Sequence, residues 1–191
     1  MRVTLWLTTA RVASNLPAVT DAAPDVLTPP GLPILEAAAW VGHACWAELR
    51  LHAVLTDWLA IEADPEQVAV LWAERSDAAE RAEAWHRRLP ELREHPRASF
   101  VEASSEGVAR LFNGLTSMVE PHDTDARRGA LAAVLRGLRL GYHQHQALAV
   151  GPADGPTATT LVAALRSTFG VGGSEPDPAW TSAVAEAGGL P

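Results

Sequence analysis

The chain contains no lysine: all 15 of its basic residues are arginine, set against 23 acidic residues for a formal charge of −8. Nucleic acids and anionic membrane surfaces are held by clustered cationic side chains, so neither is an expected partner. The arginine usage, together with abundant alanine, fits a GC-rich coding sequence rather than selection for guanidinium chemistry. Cys45 is the only cysteine, which excludes an internal disulfide and a thiolate zinc cluster. It is expected to be a small buried apolar residue. No apolar run reaches the ~18 residues that a membrane span requires. Thr4, Thr8, Thr9 and Arg11 interrupt the opening stretch MRVTLWLTTARVASN, so no signal peptide is expected and a cytoplasmic location is. One more shortage bears on chemistry: no glutamate lies between Glu120 and Glu175, where the only aspartates are Asp123, Asp125 and Asp154.

What is present is a chain of 191 residues, 48% apolar, enough for one domain with a sizeable core. Pro17, Pro24, Pro29, Pro30 and Pro33 exclude a long helix at the start. Residues 1–32 are read as an extended arm in which Val3, Leu5 and Leu7 alternate and Trp6 is the anchor. Residues 33–170 are read as a helical bundle and 171–191 as a tail, mostly loop with a helical turn or two around Trp180. The first helix is expected from Pro33 to Ala60, with an inward stripe of Ile34, Val41, Glu48 and Leu55 beside Ala38, Cys45, His52 and Leu59. Asp64, Pro65 and Glu66 open a second helix that Pro90 stops. Its expected inward stripe is Val68, Trp72, Arg75, Ala79, Ala82, His86 and Leu89, with Glu83 beside it. A shorter helix within 102–121 follows, capped by Ser104 or Ser105. A third long helix runs from Thr124 to Val150, with Leu131, Leu138 and His145 in one row and Leu135, Tyr142 and Ala149 in the next. The turn GPADGP leads into a short last helix over 157–169. The fold class is therefore all-α: a ferritin-like four-helix bundle with a crossover helix between the second and third long helices.

The stretches WAERSDAAERAEAWHRRLPEL and YHQHQALAVGPADGPTATTLVAALR resemble a group of actinobacterial ferritin-like helical-bundle proteins. The resemblance rests on Ala84, Trp85, His86, Leu89 and Pro90 at the end of the second helix and on the Asp154-Gly155-Pro156 turn after the third. It covers roughly residues 33–168 and implies an architecture rather than a reaction. The chain departs from the group in its short fourth helix, which carries no acidic residue.

Glu83 and His86 form a Glu-x-x-His step, which in ferritin-like bundles is half of a two-metal site. Such a site needs about four carboxylates and two imidazoles meeting inside the bundle. Glu48 and His52 on the first helix, Glu83 and His86 on the second and His145 on the third are the candidate ligands, and the acid-poor interval after Glu120 leaves the second half of the site without donors. We therefore expect an incomplete dimetal site and no bound cofactor. The alternative is a single Fe, Mn or Zn ion on some of those five residues. Without a metal, the same groups are expected to form a buried, fully paired Glu/His cluster. Glu83 and His86 are the candidate catalytic pair. Trp46, Trp72, Trp85 and Tyr142 are the candidate ligand-binding residues, since five of the seven tryptophans fall on the first two helices and suit a pocket for a flat apolar molecule. His143 and His145 point about 200° apart on a helix and do not share a site. Gly137 and Gly141 allow close approach of a neighbour. The expected function is binding of a small apolar molecule or a protein partner. The alternatives are a mononuclear metal-dependent oxidoreductase and a metal-free acid–base enzyme using the Glu/His cluster. A homodimer is expected if the short fourth helix leaves one face uncovered.

Overall fold

The computed structural model describes residues 31–120, 123–149, 154–167 and 174–191. The expected extended arm, with Trp6, lies outside them apart from its last two residues. Among the described residues the protein is all-helical: six α-helices, one 3-10 turn and no strand. None of these helices is long and apolar enough to cross a membrane.

Helix boundaries follow local chemistry. Helix α1 (Ile34–Leu59) starts directly after Pro33. Helix α2 (Pro65–Arg88) is capped by Asp64, whose carboxylate accepts the Glu66 N–H at 3.0 Å, and has Pro65 in its first turn. Arg87 and Arg88 close it, where cations suit the helix dipole. Leu89 is already extended, as a residue before proline must be. After the 3-10 turn Arg97–Phe100, helix α3 (Glu106–Thr116) is capped by Ser105, which accepts the Val108 N–H at 3.1 Å. Helices α4 (Thr124–Leu148), α5 (Gly155–Arg166) and α6 (Pro178–Glu186) complete the chain. Asp177 caps α6, accepting from Ala179 and Trp180, so the segment read as mostly loop holds a helix of nine residues.

Side-chain pairings give the helix directions. Helix α2 runs back along α1, with Cys45 Sγ near the Ala82 carbonyl and Arg81 paired to Glu48. Helix α4 begins where α1 ends, through Arg127 and Glu62 at 2.8 Å, and finishes where α1 begins, through His145 stacked on Trp40. It is therefore antiparallel to α1 and parallel to α2. Helix α5 turns back along α2: its Thr157 meets Arg88, and Ser167, just past its end, meets Arg81. One apolar cluster joins α1, α2, α4 and α5 through Val41, Cys45, Trp85, Tyr142, Leu161 and Ala164. A second cluster contains no residue of α5. There Val108, Phe112 and Leu115 of α3 and Val184 of α6 complete the packing around Leu51, Leu55, Trp58, Leu131 and Leu138.

The expected stripe of α1 holds at Ala38, Val41, Cys45, Glu48 and Leu55, all buried, while Ile34 is 63% exposed and His52 half-buried. In α2 the inward stripe must be corrected. Trp72 is 56% exposed, and Ala79 and His86 are also exposed. Ala82 and Leu89 of the expected stripe are buried, but the main buried row is Leu71, Glu74, Ala78, Arg81 and Trp85, which repeats at the same three-and-four spacing one position away. Two of its members are charged, so apolar periodicity favours the wrong row.

Glycines set the closest contacts. A Cβ on Gly42 would meet the Phe100 Cβ at 2.8 Å and overlap its carbonyl, so the 3-10 turn packs against bare α1 backbone. Gly188 and Gly189, at φ 90° and 85°, turn the chain after α6 and return Leu190 and Pro191 to α4. Gly141 lies under Pro191, whose carbonyl carbon would be 2.6 Å from an added Cβ. The pair read as a close-approach motif thus receives the segment after α6. Gly42→Ala and Gly141→Ala are each expected to destabilise by about 1–3 kcal/mol through overpacking, despite the ~1 kcal/mol that alanine gains in a helix. Gly137→Ala, which meets only the side-chain tips of Val184 and Leu190, should cost less when the three variants are compared by urea titration.

Candidate functional site

At the middle of α1 the sequence puts Glu48 on the inward face, with no exposure to solvent. An ionised carboxylate in such a place needs donors. They come from α2 and α4. Arg81 donates from Nε to Glu48 Oε1 at 2.8 Å and from Nη2 to Oε2 at 3.1 Å, and Tyr142 donates to Oε1 at 2.6 Å. The same Arg81 Nη2 donates to Glu74 Oε1 at 2.7 Å, while Nη1 reaches Ser167 Oγ at 3.2 Å. Trp85 Nε1–H donates to the Tyr142 hydroxyl at 3.1 Å. One guanidinium therefore stands between two buried carboxylates, and a tyrosine and a tryptophan extend the chain of bonds through the apolar core.

Burial pushes the Glu48 carboxyl up, with Arg81 and the Tyr142 hydrogen bond opposing it. Burial likewise raises Glu74, again against the pull of Arg81. The tyrosine is held well above its ordinary range by burial and the neighbouring Glu48, so it stays a donor. Burial raises Cys45 to about 11, with Glu48 adding to the effect, which keeps the sulfur a thiol. This matches the apolar role expected for it.

The other expected site residues lie elsewhere. Glu83 is two-thirds exposed and pairs with Arg87 at 3.5 Å. His86 is exposed. On a helix these positions are turned by about 200° and 100° from Arg81 and Trp85 respectively, the neighbours that face inward. His52 is half-buried and is not among the groups that bond Glu48. His145 is buried, with its ring stacked 3.5 Å from Trp40 at an interplanar angle of 3°. The structure thus brings Glu48, Trp85 and Tyr142 together, sets His145 beside them, stacked on Trp40, and leaves Glu83, His86 and His52 outside their bonds. Among the described residues no three His, Cys, Asp or Glu side chains are placed to share a cation. Glu48 and Glu74 are engaged by Arg81, so this donor set does not fit a two-metal carboxylate centre. Nor do the four ligand-binding candidates line one pocket. Trp85 and Tyr142 are wholly buried and bonded to each other. Trp46 packs edge-on against Phe112, and Trp72 carries Arg75 over its face on the outside of α2.

Arg81 and Glu74 did not emerge from the sequence reading. The signal available was an opposite-charge pair seven residues apart, in phase with Trp85. A second buried ion pair was also unforeseen. Glu62, in the turn between α1 and α2, accepts from Arg127 at 2.8 Å and from Thr124 at 3.1 Å. Burial works against its charge, but the bonds from Arg127, Thr124 and the backbone hold its carboxyl below the usual range.

Compared with known proteins, the chain matches no family model, no curated protein and no solved structure.

Replacing Arg81 by Met should cost about 3–5 kcal/mol, because Glu48 and Glu74 would stay buried without a counter-charge. Adding Glu48→Gln and Glu74→Gln should recover most of that loss. A single variant as stable as the wild type in urea would remove the central role of the pairing. His145 gives a pH signature. Burial lowers it to about 4 from 6.5, with Asp154 opposing. Between those values the unfolded chain binds more protons than the folded one, so this residue's contribution to stability falls as pH drops from 6.5 towards 4. The raised carboxyls act in the opposite sense above 4.5. The difference between wild type and His145→Gln, followed by denaturation at pH 7 and pH 4.5, isolates the histidine: the variant should lose less stability on acidification.

Proposed function

We propose that the chain is a ferritin-like helical bundle that binds a small apolar molecule in a cytoplasmic setting, with a protein cation standing at its acidic centre. Support for the bundle comes from the helix directions: α2 and α4 are parallel, the crossover containing α3 joins them, and the short α5 returns along α2. The observation that carries the functional reading is the placement of Arg81 between Glu48 and Glu74. The carboxylates that could serve a cation from two helices are already bonded to a guanidinium that is always charged. Binding then falls to the cavities around the helices, of which the one between α4 and α6 and the one at the start of α1 have mainly apolar walls with a few polar groups, as small-molecule sites do.

Two measurements test this. Purified protein incubated with Fe(II), Mn(II) or Zn(II) and then desalted should retain far less than one ion per chain, and its melting temperature should not respond to a chelator. A thermal-shift screen of small aromatic and aliphatic compounds should find ligands that raise that temperature. Near-stoichiometric metal that disappears in Glu48→Gln, or a screen in which no compound stabilises the protein, would overturn the reading.

A further inference from the structure

At the end of the molecule where α1 begins, α2 ends and α5 begins, there is a cavity of about 250 Å³. Ala38, Val41 and Pro90 give it an apolar wall, and Arg88, Thr157 and Asp154 give it a polar one. Asp154 is 4% exposed, and its Oδ2 atom has no hydrogen-bond partner. It precedes α5 without bonding that helix's N–H groups, whereas Asp64, Ser105 and Asp177 each cap the helix they precede. The adjacent cation is turned to another acceptor: Arg88 Nε donates to Thr157 Oγ1 at 2.8 Å. His145, which feels the charge of Asp154, is held neutral at pH 7 by its own burial. A buried carboxylate oxygen without a donor costs free energy that a ligand can recover by supplying one.

We propose that this cavity is a binding site for a small primary amine with an apolar body, its ammonium group donating to Asp154 and its body lying on Ala38 and Val41. This rests on the small-molecule reading above and narrows it to one place and one head group. An ammonium is the donor of choice because a charge-assisted bond to carboxylate is roughly twice as strong as a neutral one. Size sets the body: an apolar cavity of about 150 Å³ holds benzene, so this one takes about ten non-hydrogen atoms.

The test uses benzylamine, benzyl alcohol and benzoate as probes in calorimetric titrations of the full chain. Benzylamine is expected to bind at least about tenfold more tightly than benzyl alcohol, and benzoate not to bind. Asp154→Asn should remove that tenfold preference while leaving the circular dichroism spectrum unchanged. Ala38→Leu, which keeps the carboxylate and fills the cavity, should abolish binding of benzylamine. The proposal is overturned if benzylamine binds Asp154→Asn or Ala38→Leu as well as it binds the wild type. It is also overturned if benzoate is the preferred probe, which would make Arg88 the head-group partner, or if none of the three binds. Tight binding of benzyl alcohol with no preference for the amine removes this inference and leaves the small-molecule reading standing.

Discussion

The guanidinium of Arg81 holds the interior together. Two carboxylates, Glu48 and Glu74, face a core from which water is excluded, and each needs a counter-charge or donors. Arg81 meets both at once because its planar fork of donors can bond one carboxylate with two N–H groups and share one of them with a second. Against well-packed apolar side chains such an arrangement adds little net stability. Its consequence is specificity. Glu48 lies on α1, Arg81 and Glu74 on α2, Tyr142 on α4, and Ser167 beyond α5. A slip of any of these elements by one turn would leave charges or hydroxyls unpaired in the core, so the polar network sets the register in which the apolar faces meet.

The rest of the fold adapts to that centre. Around it the four helices α1, α2, α4 and α5 share a cluster in which Trp40, Trp85 and Tyr142 meet edge to face, at centroid distances of 5.4 to 6.1 Å. Further along α1 and α4, α5 makes no contribution, and α3 and α6 supply the apolar surface instead. The glycines at 42 and 141 let backbone lie on backbone where the 3-10 turn crosses α1 and the segment after α6 crosses α4. The carboxylates at the centre are satisfied by Arg81 and Tyr142, while the end near Asp154 keeps a carboxylate oxygen without a donor, in a residue that lines a cavity.

Helix ends were legible in the sequence because they are settled within a few residues. Asp64 with Pro65, the Ser104/Ser105 pair from which the structure selects Ser105, and Leu89 before Pro90 each act through their own backbone or the next turn. The inward face of α4, with Leu131, Leu138 and Tyr142, was legible because its apolar rows are clean. The face of α2 was not. Its true row carries Glu74 and Arg81, while the rejected row offers Trp72 and Ala79, and a count of apolar residues cannot credit a pair of opposite charges that neutralise each other out of water. The candidate site inherited that error: Glu83 and His86 moved to the solvent side and Trp85, which lies off the expected stripe, turned inward, while Glu48 and Tyr142 kept their inward places.

By itself the sequence determined the all-helical class, the number of long helices and most of their ends, since these depend on periodicity, caps and prolines that act over one or two turns. Only the tertiary structure decided which charges are buried, which glycines lie under another chain segment, and that Asp154 borders a cavity. Those outcomes depend on which groups, far apart in the chain, are brought within hydrogen-bond distance, and on whether water is left between them.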